Sequence, residues 1–315
     1  MGPADPAPSR PLVDASGILC VDKPLGMTSH DVVGFVRRHV RIRRVGHAGT
    51  LDPQASGVLL VCVGQATRVS EYLMNSTKRY RATVRFGGVS TTDDAAGTIT
   101  PSTTSLADLT ARRLEQILRQ FIGDIDQVPP AYAAIKVAGQ PIYRAARAGR
   151  PVQVPARRVR IDAITIVKWS CPDLTIDVTC SKGTYIRALA RDLGEAAGTG
   201  AYLLNLVRTA SGSFTQDLSV PLDEVARASK FGYLTHLMWP IDAAFFDCPA
   251  AFLSPEDSHI IRQGRPWFGP TASAGQALLA YSASTGRIFA LLRFVDSLQG
   301  WQPEKVFPGE ANDPI

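Results

Sequence analysis

Apolar and polar positions alternate with two different periods along this chain, and the points where the period changes mark out its elements. Gly17 to Lys23 alternates and runs into Pro24, which predicts an edge strand entering a loop. From Ser29 to Val40 the residues Val32, Val33, Phe35, Val36 and Val40 share one face of a 3.6-residue period, so a helix is expected with Ser29 as its cap. Gly57 to Val63 is a short, β-branched apolar run suited to a buried strand, and Ala66 to Met74 fits a second helix. Lys78 to Phe86 returns to period two, with Tyr80, Ala82, Val84 and Phe86 on one side and Arg79, Arg81 and Arg85 on the other. That pattern predicts a half-buried strand whose outer face is basic. Leu106 to Phe121 is amphipathic and helical in period, closed by Gly123. Arg157 to Trp169 and Leu174 to Cys180 should pair as strands, followed by a turn at Ser181 to Gly183, a helix from Thr184 to Ala196 and a strand from Leu203 to Arg208.

Together these elements describe an α+β fold, a mixed and mainly antiparallel sheet flanked by helices. Near residue 247 the pattern changes to short apolar runs, Gln276 to Tyr281 and Arg287 to Phe294, separated by Gly, Ser and Pro. A small β-rich second domain is expected there. The chain of 315 residues is then divided into a flexible Pro/Ala-rich leader (1–16), a main domain (17–246) and a C-terminal domain (247–315).

Charge adds direction to this outline. The net formal charge of +6 conceals a strong asymmetry. Residues 20–85 hold eleven Lys/Arg against four acidic residues, and residues 144–168 hold seven against Asp162 alone. From 217 to 315 the balance reverses, with seven basic and eleven acidic residues. A polyanionic partner should therefore lie along the first two thirds of the chain. The five cysteines show no CxxC spacing and the histidines no HxH or HExxH pair, so neither a disulfide framework nor a metal site is expected. The leader has no apolar core, so it does not read as a signal peptide, and the uncharged stretch around Pro266 to Gly286 is too interrupted to span a membrane. These features place the protein in a reducing cytoplasm.

No Walker loop, GxGxxG or GxSxG is present. The segment with most chemical content is Arg44-Val-Gly-His-Ala-Gly-Thr-Leu-Asp52-Pro53, which closes a run of five arginines in eight residues, Arg37 to Arg44. Asp52 before Pro53 is either an ordinary turn or a lone carboxylate in a basic groove, a candidate nucleophile. Its sequence neighbours include no second carboxylate for a glycosidase-like pair.

The motifs Lys23-Pro-Leu-Gly-Met-Thr-Ser-His-Asp and Gly46-His-Ala-Gly-Thr-Leu-Asp-Pro-Gln-Ala-Ser-Gly-Val-Leu-Leu closely resemble the two N-terminal motifs of the TruB-type tRNA pseudouridine synthases. Further matches follow in order: Lys78-Arg-Tyr-Arg-Ala, Pro129-Pro-Ala-Tyr-Ala-Ala-Ile-Lys, Ser181-Lys-Gly-Thr-Tyr-Ile-Arg-Ala-Leu-Ala-Arg-Asp-Leu-Gly and Leu203-Leu-Asn-Leu-Val-Arg-Thr. The resemblance spans residues 17 to 215. It implies that Asp52 is the catalytic aspartate, attacking the target uridine at ribose C1′ or, alternatively, at the uracil ring. It further implies that Tyr80 stacks on the base and is a candidate for proton abstraction, that Arg187 pairs with Asp52, and that Tyr185 and Leu206 line the uracil pocket. His47 would stack within the RNA loop after the base leaves, and Lys23 would be a structural or phosphate-contacting residue.

The implied reaction is isomerisation of uridine 55 in the tRNA T stem-loop, which needs no cofactor or metal. The resemblance also implies a monomer without an obligatory protein partner, and a C-terminal PUA-like RNA-binding module, although that stretch is acidic. Two other readings stay open here: a guide-RNA-dependent relative acting on ribosomal RNA, and a tRNA-folding protein whose effect needs no chemistry.

Overall fold

The run Ala55–Val63 is buried at nearly every position, which requires a strand covered on both faces. It lies within a 10-stranded sheet in this computed structural model, which describes residues 16–130, 136–137, 140–141 and 154–307. The strands are ordered Met238–Trp239, Gly17–Lys23, Ala55–Val63, Ala201–Ser211, Lys78–Phe86, Asp173–Cys180, Arg157–Ser170 and Gly123–Gln127. Val45–His47 adds to Ala55–Val63, and Phe214–Thr215 adds to Ala201–Ser211. The pairing of Ala55–Val63 with Ala201–Ser211 is parallel; the other pairings in this sheet are antiparallel.

The period of two sorts the side chains to the two faces. Leu19, Val21, Leu59, Val61 and Val63 pack beneath the helices Ser29–Val40 and Leu222–Phe231, while Ile18, Cys20, Val58, Leu60 and Cys62 turn the other way onto Ala48, Ala66, Leu73 and Phe214. Farther along the sheet, Tyr80, Ala82, Val84 and Phe86 join Ile176 and Val178 in a core closed by the helices Ala111–Arg119 and Ile186–Ala197. A separate four-stranded sheet, Ala250–Leu253, Ala277–Ser282, Ile288–Val295 and Gly300–Val306, buries its own apolar cluster with the helix Pro255–Arg262. The α+β class and the mainly antiparallel sheet with flanking helices are as expected.

Several local expectations change for physical reasons. Thr28, not Ser29, caps the first helix: its hydroxyl accepts from the Asp31 amide, and the Asp31 carboxylate accepts from the Thr28 amide in return. Gly17–Lys23 is not a free edge, because Met238–Trp239 covers Ile18 and Leu19, and Val220 exchanges backbone hydrogen bonds with Cys20 and Asp22. Instead of one helix from Ala66 to Met74 there is a 3₁₀ segment, Gly64–Val69, followed by a short α-helix, Ser70–Asn75. The helix expected from Leu106 begins at Ala111, where the Thr110 hydroxyl accepts from the Arg113 amide. The outer face of Lys78–Phe86 is largely neutralised: Arg81 and Arg85 form two-pronged ion pairs with their cross-strand partners Asp177 and Asp173. Residues 1–15, Ala131 to Ile135 of the Pro129 motif, and Arg144, Arg147 and Arg150 of the second basic segment lie outside the described residues.

The parallel pairing depends on one glycine. Gly57 has φ +96°, and a Cβ there would sit 2.4 Å from the Arg208 carbonyl oxygen and 3.0 Å from the Arg208 nitrogen, both backbone atoms that cannot swing aside. Gly57→Ala should therefore destabilise the protein by about 2–3 kcal/mol. Urea unfolding measures this, and a variant as stable as the parent would contradict the tight crossing of these strands.

Candidate active site

The helix Ile186–Ala197 brings the most important side chain to the sheet. Ile186, Leu189, Ala190 and Leu193 form its buried stripe. Gly194 lets the helix approach closely, since a Cβ there would lie 2.0 Å from the Ala201 backbone nitrogen. Just before the helix, the buried Gln127 side chain donates to the Tyr185 carbonyl and accepts from the Tyr185 amide, fixing the first turn against the strand Gly123–Gln127. Arg187, one residue into that turn, is consequently held in the interior, its side chain 7% exposed.

A cation at a helix N-terminus opposes the helix dipole, by roughly 0.3–1 kcal/mol in exposed settings. Two carboxylates offset this. Arg187 Nε lies 2.9 Å from Asp52 Oδ2, and Nη1 lies 3.6 Å from Asp94 Oδ2 and donates to the Thr92 carbonyl at 3.2 Å. Asp94 is itself fixed, because its Oδ1 accepts from the Thr92 hydroxyl and from the Ala96 amide at 3.0 Å. Behind it, Arg191 ties down Asp93 at 2.9 Å and the Val128 carbonyl. Of the two carboxylates on Arg187, Asp94 is enclosed, whereas Asp52 is 40% exposed and opens to a cavity.

The loop carrying Asp52 is equally constrained. The buried Ser29 hydroxyl donates to the Leu51 carbonyl at 2.9 Å and accepts from the Leu51 amide at 2.8 Å. The Asp52 carbonyl accepts from the Ala55 amide, and the Pro53 carbonyl from the Gly26 amide. The resulting cavity of about 240 Å³ is lined by Asp52, Tyr80, Tyr185, Arg187 and Leu206, together with Lys78 and Arg208. A larger, more open groove of about 930 Å³ runs past Phe214, Phe246 and Gln276, but its lining includes no basic residue to pair with Asp247. The smaller cavity is therefore where an ion pair meets aromatic walls, a setting suited to a planar polar ligand.

The structure thus gathers five of the seven candidate residues around one cavity and sets two apart from its lining. His47 lies on the short strand Val45–His47, paired with Val61. Its Nδ1 is buried without a hydrogen-bond partner, and burial, reinforced by Arg208 and His30, lowers its proton affinity below the ordinary histidine value. Lys23 is 0% exposed, and its ammonium donates to the Pro24 and Met27 carbonyls of its own loop. Burial brings its pKa down to about 8, against a smaller opposing pull from Asp52. Burial also raises the Tyr80 and Tyr185 phenols above the ordinary tyrosine value. Sequence reading missed Ser29 as a loop clamp, Gln127, Asp94 and Arg208. Arg208 left a signal: it shares the buried phase of its strand with Leu206 and Ala210, where a charge breaks the pattern.

Two measurements test this geometry. Asp94→Asn keeps the Oδ1 acceptor but removes the charge facing Arg187, and should lower unfolding free energy by about 1–3 kcal/mol in urea melts; unchanged stability would mean the pair contributes nothing. Because the folded state favours neutral His47, its contribution to stability is complete above the ordinary histidine pKa and is lost as pH falls below it. Histidine NMR titration should find a His47 midpoint below 6.5, and a midpoint at or above that value would contradict the buried, unpartnered Nδ1.

Known proteins resemble this chain in sequence and in fold. Residues 37–186 match the TruB family pseudouridylate synthase N-terminal domain, and residues 187–245 match the tRNA pseudouridylate synthase B C-terminal domain. The chain is 43% identical over 286 residues to the tRNA pseudouridine synthase B of Mycolicibacterium paratuberculosis, covering 88% of this chain and 93% of that protein. It is 39% identical over 301 residues to the protein of the same name from Shouchella clausii, covering 94% and 99%. Among solved structures, a Cbf5-Nop10-Gar1 complex contains a chain that aligns with a TM-score of 0.72 at 25% identity, over 93% of this chain and 85% of that one. With both family domains matched in order and relatives similar over nearly their whole length, the chain belongs to the TruB family of pseudouridylate synthases.

Proposed function

We propose that this protein isomerises uridine 55 in the T stem-loop of tRNA to pseudouridine, with Asp52 as the nucleophile. The observation that carries the reading is the Asp52–Arg187 pair opening into a cavity walled by Tyr80, Tyr185 and Leu206. A uridine in a folded loop reaches such a cavity only by leaving its stack, at a cost of a few kcal/mol, and aromatic walls then hold the base by stacking. The Asp52 carboxylate attacks ribose C1′, and the bond to N1 breaks with its electron pair staying on uracil. The uracil turns in place and C5 attacks C1′, releasing the carboxylate. Loss of the C5 proton and protonation of N1 complete an isomer of the starting nucleotide, so the atoms balance without a co-reactant. Arg187 keeps the carboxylate in one rotamer throughout, and Tyr80 is the candidate to take the C5 proton.

The arginines between Arg37 and Arg44 and the partly paired Arg158 and Arg160 supply phosphate contacts that position the RNA. In this reading the protein works as a monomer in the cytoplasm. Residues 17–246 form the catalytic domain, and residues 247–315 form a PUA-like module. His47 meets the RNA loop outside the pocket, and Lys23 shapes the loop that supports Asp52.

Unmodified tRNA transcript incubated with the purified protein should gain pseudouridine at one position, in the T loop, without any guide RNA. Asp52→Asn should lower the rate by more than about 1,000-fold while tRNA binding is retained. Binding without product would sink the enzymatic reading, and activity only in the presence of a guide RNA would sink the stand-alone one.

A further inference from the structure

Among the described residues, the largest fully buried side chain is Arg208, 1% exposed and assigned no part in the reaction above. No carboxylate within ion-pair distance of it is found among those residues. Its Nε donates to the Val58 carbonyl at 2.6 Å, Nη1 to the Thr50 carbonyl at 3.4 Å and Nη2 to the Gly49 carbonyl at 3.3 Å. A guanidinium buried against neutral carbonyls is a costly way to fill a core, where an apolar side chain of similar volume often serves as well or better. What Arg208 touches gives the better account of its presence.

The sheet register puts Arg208 between the two halves of the site. It is the cross-strand partner of Tyr80 on one side and of Gly57 on the other, and its guanidinium reaches past Gly57 to the loop that ends in Asp52. With Ser29 on Leu51, Ala55 on Asp52 and Gly26 on Pro53, it completes a set in which each main-chain carbonyl from Gly49 to Pro53 accepts a hydrogen bond. Tyr80, in register with Arg208 on the neighbouring strand, lines the same cavity beside it.

We propose that Arg208 is a positioning residue for this reaction, holding the Gly49–Thr50 backbone and the Tyr80 phenol in one frame so that Asp52 and Tyr80 meet the same nucleotide. This rests on the reading of the cavity as a uridine-isomerising site. The charges around Tyr80 support it: burial raises the phenol's proton affinity, Cys180 and Asp52 act in the same direction, and Arg208 opposes them most strongly. Lys78, which lines the cavity beside them, spends its ammonium on the Leu73, Met74 and Ser76 carbonyls. Arg187 is taken up by Asp52 and Asp94.

The test combines Arg208→Lys with Tyr80→Phe. Under single-turnover conditions with saturating tRNA, Arg208→Lys should lower the isomerisation rate by about tenfold or more while Kd for tRNA stays within about twofold. In the Tyr80→Phe background the same substitution should cost much less, because the two side chains act as a unit. Equal losses in both backgrounds, or a loss confined to Kd, would overturn the proposal. A measurement that leaves Arg208 intact guards against a variant that fails to fold: the Arg208 Nε–H resonance should be protected from solvent exchange and should shift in Tyr80→Phe. An unshifted or rapidly exchanging signal would overturn the proposal. Turnover by the unmutated protein is the control: its absence would defeat the functional reading, whereas the resonance test decides the Arg208 contact independently.

Discussion

The ion pair between Arg187 and Asp52 is the contact around which the rest of the main domain is arranged. A guanidinium has no reason to be buried at the start of a helix unless negative charge awaits it, and here Asp52 and Asp94 approach from different loops. Asp94 is enclosed and bonded within its own loop, so it anchors Arg187 permanently. Asp52 is the partner left partly exposed, and the orientation imposed on it points its carboxylate toward the cavity. Gly194 and Gln127 contribute indirectly, by fixing how closely and at what angle the helix bearing Arg187 meets the sheet.

A second constraint follows from the first. A rigid cation can orient Asp52 only if the loop that bears it cannot drift, and the loop from Gly49 to Pro53 is tied by its carbonyls as well as by Leu51 packed into the core. Its clamps come from far apart in the sequence: Gly26 and Ser29 near the first helix, Ala55 in the next strand and Arg208 from the strand Ala201–Ser211. The parallel crossing at Gly57 is what lets Arg208 reach it. Pre-organisation of this kind lowers the cost of reaching a reactive geometry, because the loop is already ordered before the RNA arrives.

Much of this was readable in the sequence, for reasons that differ between elements. Strands such as Lys78–Phe86 and Asp173–Cys180 were legible because one buried face imposes period two on the residues themselves. Asp52, Tyr80, Tyr185, Arg187 and Leu206 were legible through their motifs, which carry a whole site as local strings. What could not be read was pairing across the sheet. Arg81 and Arg85 looked like a surface for RNA until the register set Asp177 and Asp173 opposite them. Ser29 looked like a helix cap because caps are recognised locally, whereas its real partner, Leu51, lies in another loop. Asp94 sits in a hydroxyl-rich loop that resembles many turns, and only the fold brings it against Arg187.

The central claim is that Arg187 works by orienting Asp52 and not by holding RNA. Substituting Arg187 with Lys keeps the positive charge but loses the planar fork that reaches both carboxylates. Single-turnover isomerisation of tRNA, measured alongside the tRNA dissociation constant, separates the two roles. The account predicts a rate constant lowered by about 100-fold or more at saturating tRNA, with affinity within about threefold of the parent. A variant that binds tRNA proportionately more weakly, yet isomerises at the parental rate once saturated, would contradict it.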